Sequence, residues 1–156
     1  MSLEKELEIL IPKTSKVLDI GCGNKNHSNY SINTTTIDAW EKVNPDILTD
    51  VTKDFPVFKD NEFDIVTMID FIEHLEKEDG YKVLEESIRI SKRVIIFTPL
   101  FWDDNSENVT NKNLWSYGNP YDYHKSLWSE EDFSDWNTVR IFSYKKGSVW
   151  LGYLDK

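Results

Sequence analysis

The chain reads as an α/β domain built on a largely parallel sheet, and three stretches carry that reading. Lys16–Gly23 (Lys-Val-Leu-Asp-Ile-Gly-Cys-Gly) is a short apolar run that ends abruptly in glycines, as a buried strand does before a tight turn. Val94–Phe97 is continuously apolar, the pattern of a central parallel strand with both faces covered. Thr138–Tyr144 and Val149–Leu154 flank Lys145-Lys146-Gly147-Ser148, which signals a closing antiparallel hairpin.

The elements follow in order. Leu3–Ile11 places Leu3, Leu7, Leu10 and Ile11 on one helical face, and Pro12 ends that helix. The first strand is Lys16–Ile20. Residues 24–33 are polar, asparagine-rich and without apolar period, so they predict a loop or one helical turn. Thr34–Asp38 is the second strand, and Ala39–Pro45 is too short for a crossover helix. Phe63–Ile69 is a strand with Asp70 at its end. A helix is predicted from about Gly80 to Ser91, with Val83, Leu84, Ser87 and Ile88 inward. Thr98-Pro99 stops the strand that follows it. Leu100–Trp128 is irregular yet holds seven aromatics: Phe101, Trp102, Trp115, Tyr117, Tyr121, Tyr123 and Trp128. A long loop so rich in rings is either a functional lid or a loop packed on its own side chains. Ser129-Glu-Glu-Asp132 resembles a capping box opening a short helix to about Trp136.

The glycine turn suggests a nucleotide-type cofactor edge. Gly21 and Gly23 permit a sharp turn and a close approach to bare backbone, and Asp19 is an acid inside an apolar strand. Asp38 falls about 17 residues after Gly21, at the end of the next strand, where doubly wound sheets hold ribose hydroxyls. The third glycine of a dinucleotide fingerprint is replaced by Asn26, which disfavours a nicotinamide oxidoreductase.

With these residues the chain resembles the class I S-adenosylmethionine-dependent methyltransferases of the small, type 11 kind. The Leu-Asp-Ile-Gly-Cys-Gly signature is joined by Asp46–Thr52 as a third strand and its following acid. Glu62–Leu75 resembles the fourth strand and its turn, and Arg93–Pro99 the fifth, in the right order over roughly residues 16–100. The resemblance implies a doubly wound, mostly parallel sheet of the seven-stranded type with a C-terminal antiparallel hairpin, here with trimmed crossover helices. It implies S-adenosylmethionine as cofactor, S-adenosylhomocysteine as product, and an oxygen or nitrogen of a small molecule as acceptor.

The implied site residues are specific. Asp19 and the turn Gly21-Cys22-Gly23 would face the methionine part. Asp38 with Ala39 would hold the ribose, and Asp50 with Val51 the adenine; Asp46 or Asp54 would replace Asp50 if the register shifts. Ile69 and Asp70 would line the cleft beside the methionine end. Asn119–Trp128 resembles a stretch that small methyltransferases carry over the cleft, which makes His124 the candidate base or substrate-orienting residue. Asp70, Glu73 and His74 have helical spacing, but such a turn usually holds solvated acids, so no metal is expected. Cys22 is needed only as a small residue, since the sequence places no base beside it.

Composition narrows the classes. At 156 residues the chain has the length of one domain able to bury a core, so 1–156 is read as a single domain. The net charge of −10 weighs against gripping a phosphate backbone, hence against nucleic acid as partner. One cysteine excludes an internal disulfide and a cysteine-based zinc site. No apolar run has the length of a membrane span and no signal-peptide pattern opens the chain, so a cytoplasmic protein is expected. Oligomeric state is left open. The alternative of a different class is a non-catalytic binding or scaffold module that kept the methyltransferase fold.

Overall fold

The computed structural model describes residues 1–156. Seven strands form one sheet: β1 (Lys16–Ile20), β2 (Asn33–Asp38), β3 (Ile47–Leu48), β4 (Phe63–Ile69), β5 (Ser91–Pro99), β6 (Asn137–Tyr144) and β7 (Gly147–Asp155). Their order is β3-β2-β1-β4-β5-β7-β6. The first five are parallel, and β7 runs antiparallel to both of its neighbours. The α/β fold with a closing hairpin expected from the sequence is the one observed.

The two-residue period of the strands divides the apolar side chains between two cores. Leu18, Ile20, Val66, Met68, Val94, Ile96 and Trp150 point to one face, where α2 (Lys77–Ile90) packs. Val17, Ile65, Ile69, Ile95, Phe97, Val149 and Leu151 point to the other, covered by α1 (Leu3–Leu10). Helices on both faces explain why β4 and β5 read as near-continuous apolar runs.

Between β1 and β4 there is no α-helix, only one 3-10 turn at Glu41–Val43. Side chains hold this half together instead. Asp46 accepts from the backbone N–H and hydroxyl of Thr36 at 2.8 and 2.9 Å, and its own N–H donates back to Thr36 Oγ1 at 2.9 Å. The crossovers are trimmed, and carboxylate-to-strand bonds replace a helix as the brace.

Several boundaries differ from expectation. β3 is two residues long, so Asp50 and Val51 lie in a turn after it. Helix α2 starts at Lys77, one turn before Gly80. Gly80 is inside the helix because Trp128 lies against it: a Cβ there would come within 2.7 Å of the indole. Residues 129–136 form only a 3-10 turn, Glu130–Phe133, opened by Ser129 N–H donating to Asp132 Oδ2 at 2.8 Å. The long loop contains one short helix, α3 (Ser106–Thr110).

The seven aromatics of that loop have three fates, of which Trp102, Tyr117 and Tyr123 are exposed and line no cleft. Trp128 is fully buried and stacks on Phe133, which stacks on Trp150 with centroids 4.3 Å apart. Trp115, Tyr121 and Phe101 instead line the cleft described below.

Candidate active site

The strand order reverses beside β1: β2 and β3 lie on one side of it, β4 and β5 on the other. In such sheets the connections leave in opposite directions and open a crevice at the carboxyl ends of the strands. A cleft of about 540 Å³ occupies that place, within the ~300–1,000 Å³ range typical of small-molecule sites. It is lined by Gly21, Cys22 and Gly23 after β1, Asp38 and Ala39 after β2, Asp50 and Val51 after β3, and Ile69 and Asp70 after β4. His124 comes to it from the long loop.

The turn after β1 has both glycines in the left-handed region, Gly21 at φ +74 and Gly23 at φ +50. Gly21 and Cys22 donate their N–H groups to Ile37 O at 2.8 and 3.1 Å, which seats the turn on β2. The bare Cα atoms of the two glycines are already covered: a Cβ on Gly21 would collide with the Phe71 ring, and one on Gly23 would meet the Trp115 ring at 2.9 Å. Cys22 is a buried thiol pushed up to about 12, first by burial and then by the charges of Asp38 and Asp19, so it is no nucleophile.

Asp19 alone of the sequence-selected residues does not line the cleft. It points into the α1 side of the sheet, paired in register with Thr67 of β4. Thr67 donates to Oδ1 at 2.8 Å and Ser28 to Oδ2 at 2.5 Å. Burial raises its pKa to about 6, more than the two hydroxyls lower it. Structurally it braces the segment after the glycine turn from behind.

Asp38 accepts from Gly23 N–H at 2.9 Å and Trp40 N–H at 2.8 Å, one on each oxygen. A carboxylate has about four lone-pair sites, so acceptor capacity remains on its cleft side. Asp50 caps its own turn: Thr52 donates N–H and hydroxyl to Oδ1 at 3.0 and 2.6 Å, and Lys53 Nζ lies 3.2 Å from Oδ2. Burial opposes ionisation there, but Thr52 and Lys53 outweigh it and hold the pKa below the usual range. Val51 is buried beside it. Asp46, the register alternative, is engaged with Thr36 instead.

Asp70 adopts φ +49, a left-handed conformation uncommon outside glycine, and its N–H donates to Phe97 O at 2.9 Å. The side chain opens to the cleft but is walled by protein. Burial, and then the Asp122 carboxylate, push its pKa up. The 3-10 turn Ile72–His74 follows. Glu73 is 1% exposed and accepts from Thr98 Oγ1 at 2.9 Å. Burial, then Asp70, drive its pKa far upward. His74 and His124 meet edge to face with ring centroids 4.7 Å apart. Burial, then His124, lower His74 to about 4, and burial lowers His124 as well. Both imidazoles are therefore neutral at physiological pH.

Sequence reasoning did not single out Phe71 or Asp122, and it named Trp115 only as one of seven aromatics in the long loop. Asp122 stands two residues before His124, carries a pKa raised to about 6 mainly by burial, and accepts from Asn105 Nδ2 at 3.1 Å. In all, eight acidic side chains and two lysines line the cleft. An acid two residues from His124 was the one available signal.

The family model of the methionine biosynthesis protein MetW matches residues 4–106, and the chain belongs to that family. Solved structures of similar fold include an S-adenosylmethionine-dependent methyltransferase from Archaeoglobus fulgidus, with TM-score 0.67 and 16% identity over 98% of this chain and 91% of that one. Another from Methanosarcina mazei gives TM-score 0.65 and 13% identity, covering 100% of this chain and 99% of that one. A chain from the Haloferax volcanii complex between the Trm112 methyltransferase activator and a methyltransferase gives 0.63 and 14%, covering 96% and 86%. No curated protein matches the sequence. The fold is that of S-adenosylmethionine-dependent methyltransferases. No helix is long and apolar enough to cross a membrane.

Proposed function

We propose that residues 1–156 act as one domain that transfers a methyl group from S-adenosylmethionine to an oxygen or nitrogen of a small-molecule acceptor. The observation that carries this reading is the charge of the cleft. Eight carboxylic side chains face two lysines, one of them paired with Asp103 at 2.6 Å, so an acidic surplus remains even with the buried Asp70, Glu73 and Asp122 protonated, and that field favours a cationic ligand over a pyrophosphate. A sulfonium cofactor fits that field, whereas a nicotinamide dinucleotide does not. The description of the family as methionine biosynthesis supports a small metabolite as acceptor.

Bound S-adenosylmethionine supplies a methyl group already activated on a cationic sulfur. The protein then has to orient and to exclude water, which contributes on the order of several kcal/mol when the reacting atoms are aligned. Asp38 offers its free lone pairs to the ribose hydroxyls, with Gly23 and Trp40 fixing the carboxylate plane. Val51 gives the adenine an apolar wall, and Ala39 leaves room beside the ribose. The Gly21–Gly23 turn, with Cys22 as its small middle residue, borders the methionine part, and Asp19 keeps that turn in place through Ser28. Ile69 and Asp70 close the cleft at the sulfonium end. His124 stands on the acceptor side, its neutral imidazole able to orient an acceptor or take its proton.

Calorimetric titration with S-adenosylhomocysteine, with NADH as control, tests the reading. Micromolar binding of the former alone is expected. Asp38→Ala should weaken it by about 1–3 kcal/mol, the loss of one or two hydrogen bonds to a charged acceptor. Binding of neither ligand would favour the scaffold alternative, which the helix-free β1–β4 half and the covered glycines also allow. Unchanged affinity in Asp38→Ala would move the ribose site elsewhere.

A further inference from the structure

We propose that Glu73, His74 and His124 form a binding site for one divalent first-row transition-metal ion at the acceptor end of the cleft. A carboxylate oxygen and a ring nitrogen from each histidine lie within 4.8 Å of one another. Three such ligands at about 2.0–2.2 Å from a common ion would stand roughly 3–3.5 Å apart. A bound ion would draw the three groups together by the remaining ångström or so.

Two further observations point to a cation. Glu73 is almost wholly buried, with Thr98 as its hydroxyl partner, yet no lysine or arginine pairs with it, with Asp70 or with Asp122. Buried acids in such a group require a positive charge or must stay protonated. The second is the orientation of His74. Its Nδ1 lies 3.3 Å from Tyr123 O, and a carbonyl can only accept, so Nδ1 carries the proton. The lone pair is thereby on Nε2, which faces Asp122 Oδ1 at 3.9 Å. A ring that donates one N–H to a backbone carbonyl and offers the other nitrogen has the arrangement of a metal-ligating histidine.

One carboxylate and two imidazoles suit zinc, manganese, iron or cobalt better than magnesium or calcium, which favour all-oxygen sets. The set leaves coordination positions open toward the cleft. An acceptor oxygen bound there would be polarised by the ion, and His124 would serve as its ligand and not as a base. That role rests on the methyl-transfer reading; the metal site does not. The sequence expectation of no metal considered Asp70, Glu73 and His74 alone, whereas the third ligand arrives from about fifty residues further on.

Cobalt(II) titration of the chelator-treated full chain, followed by visible absorption in the absence of cofactor, tests the site. One ion per chain with micromolar affinity is expected, with Glu73→Gln and His124→Gln each weakening it at least tenfold, and with His27→Ala, at the third histidine lining the cleft but outside the cluster, leaving it unchanged. Circular dichroism checks each variant; if Glu73→Gln unfolds, the loop variant His124→Gln decides alone. No saturation at millimolar cobalt, or binding that survives His124→Gln, overturns the proposal. S-adenosylhomocysteine binding measured on the same samples separates the two readings: cofactor binding without cobalt binding refutes only the metal site, and the reverse refutes only the methyltransferase.

Discussion

Asp19 holds a position that stability alone would fill with an apolar or neutral residue. Its folded pKa of about 6 lies above the ordinary carboxylate value, so the folded chain keeps the proton where the unfolded chain has lost it. Its contribution is therefore full at low pH and is lost as pH rises from about 4 to 6. A shift of about two units corresponds to roughly 3 kcal/mol. Asp19→Asn should remove that penalty, because the hydroxyls of Ser28 and Thr67 can turn to accept from the amide. In urea denaturation the variant should exceed the wild type by up to that amount at pH 7.5, with the difference vanishing near pH 4. Parallel pH profiles would show that the carboxylate is not held up by burial. The acid was legible in the sequence because a charge in an apolar strand is anomalous. Its placement behind the cleft was not, since that depends on Ser28 and Thr67, which have no local pattern.

At the scale of elements, strands were read more accurately than helix starts. β1 and β4 announce themselves by local apolar runs and β2 by its β-branched Thr34–Ile37, and each ends where glycine or aspartate stands. The first turn of α2 escaped because Gly80 looks like a helix boundary. Tertiary packing explains the exception: the Trp128 indole occupies the space a Cβ would take, and Lys77 lies over the same ring at 4.2 Å. Gly80→Ala accordingly sets two effects against each other. Alanine favours helix by about 1 kcal/mol, while forcing a methyl into a filled core costs about 1–3 kcal/mol. The Trp128–Phe133–Trp150 stack leaves little slack, so overpacking should prevail, with a net loss of stability in thermal or urea unfolding. A more stable variant would mean that the stack gives way easily.

For the whole molecule, the order β3-β2-β1-β4-β5-β7-β6 decides where everything meets. Short motifs at the ends of β1, β2 and β4 were legible one by one, and the reversal of strand order converts them into one cleft. The His124 end of the cleft was legible only in part. His124 stood out by its spacing to Trp128, but its approach to His74 and Glu73 depends on the path of a long loop with no periodic pattern. The same loop lays Trp115 over Gly23, which makes it both a wall of the cleft and a cover that a ligand must displace or stack against. The central claim is that this crevice holds the methyl donor, and a crystal structure of the complex with S-adenosylhomocysteine tests it most directly. The account expects ribose hydroxyls on Asp38, adenine against Val51 and the sulfur between Asp70 and His124. A ligand bound elsewhere, or in the crevice with its ribose away from Asp38, would contradict it.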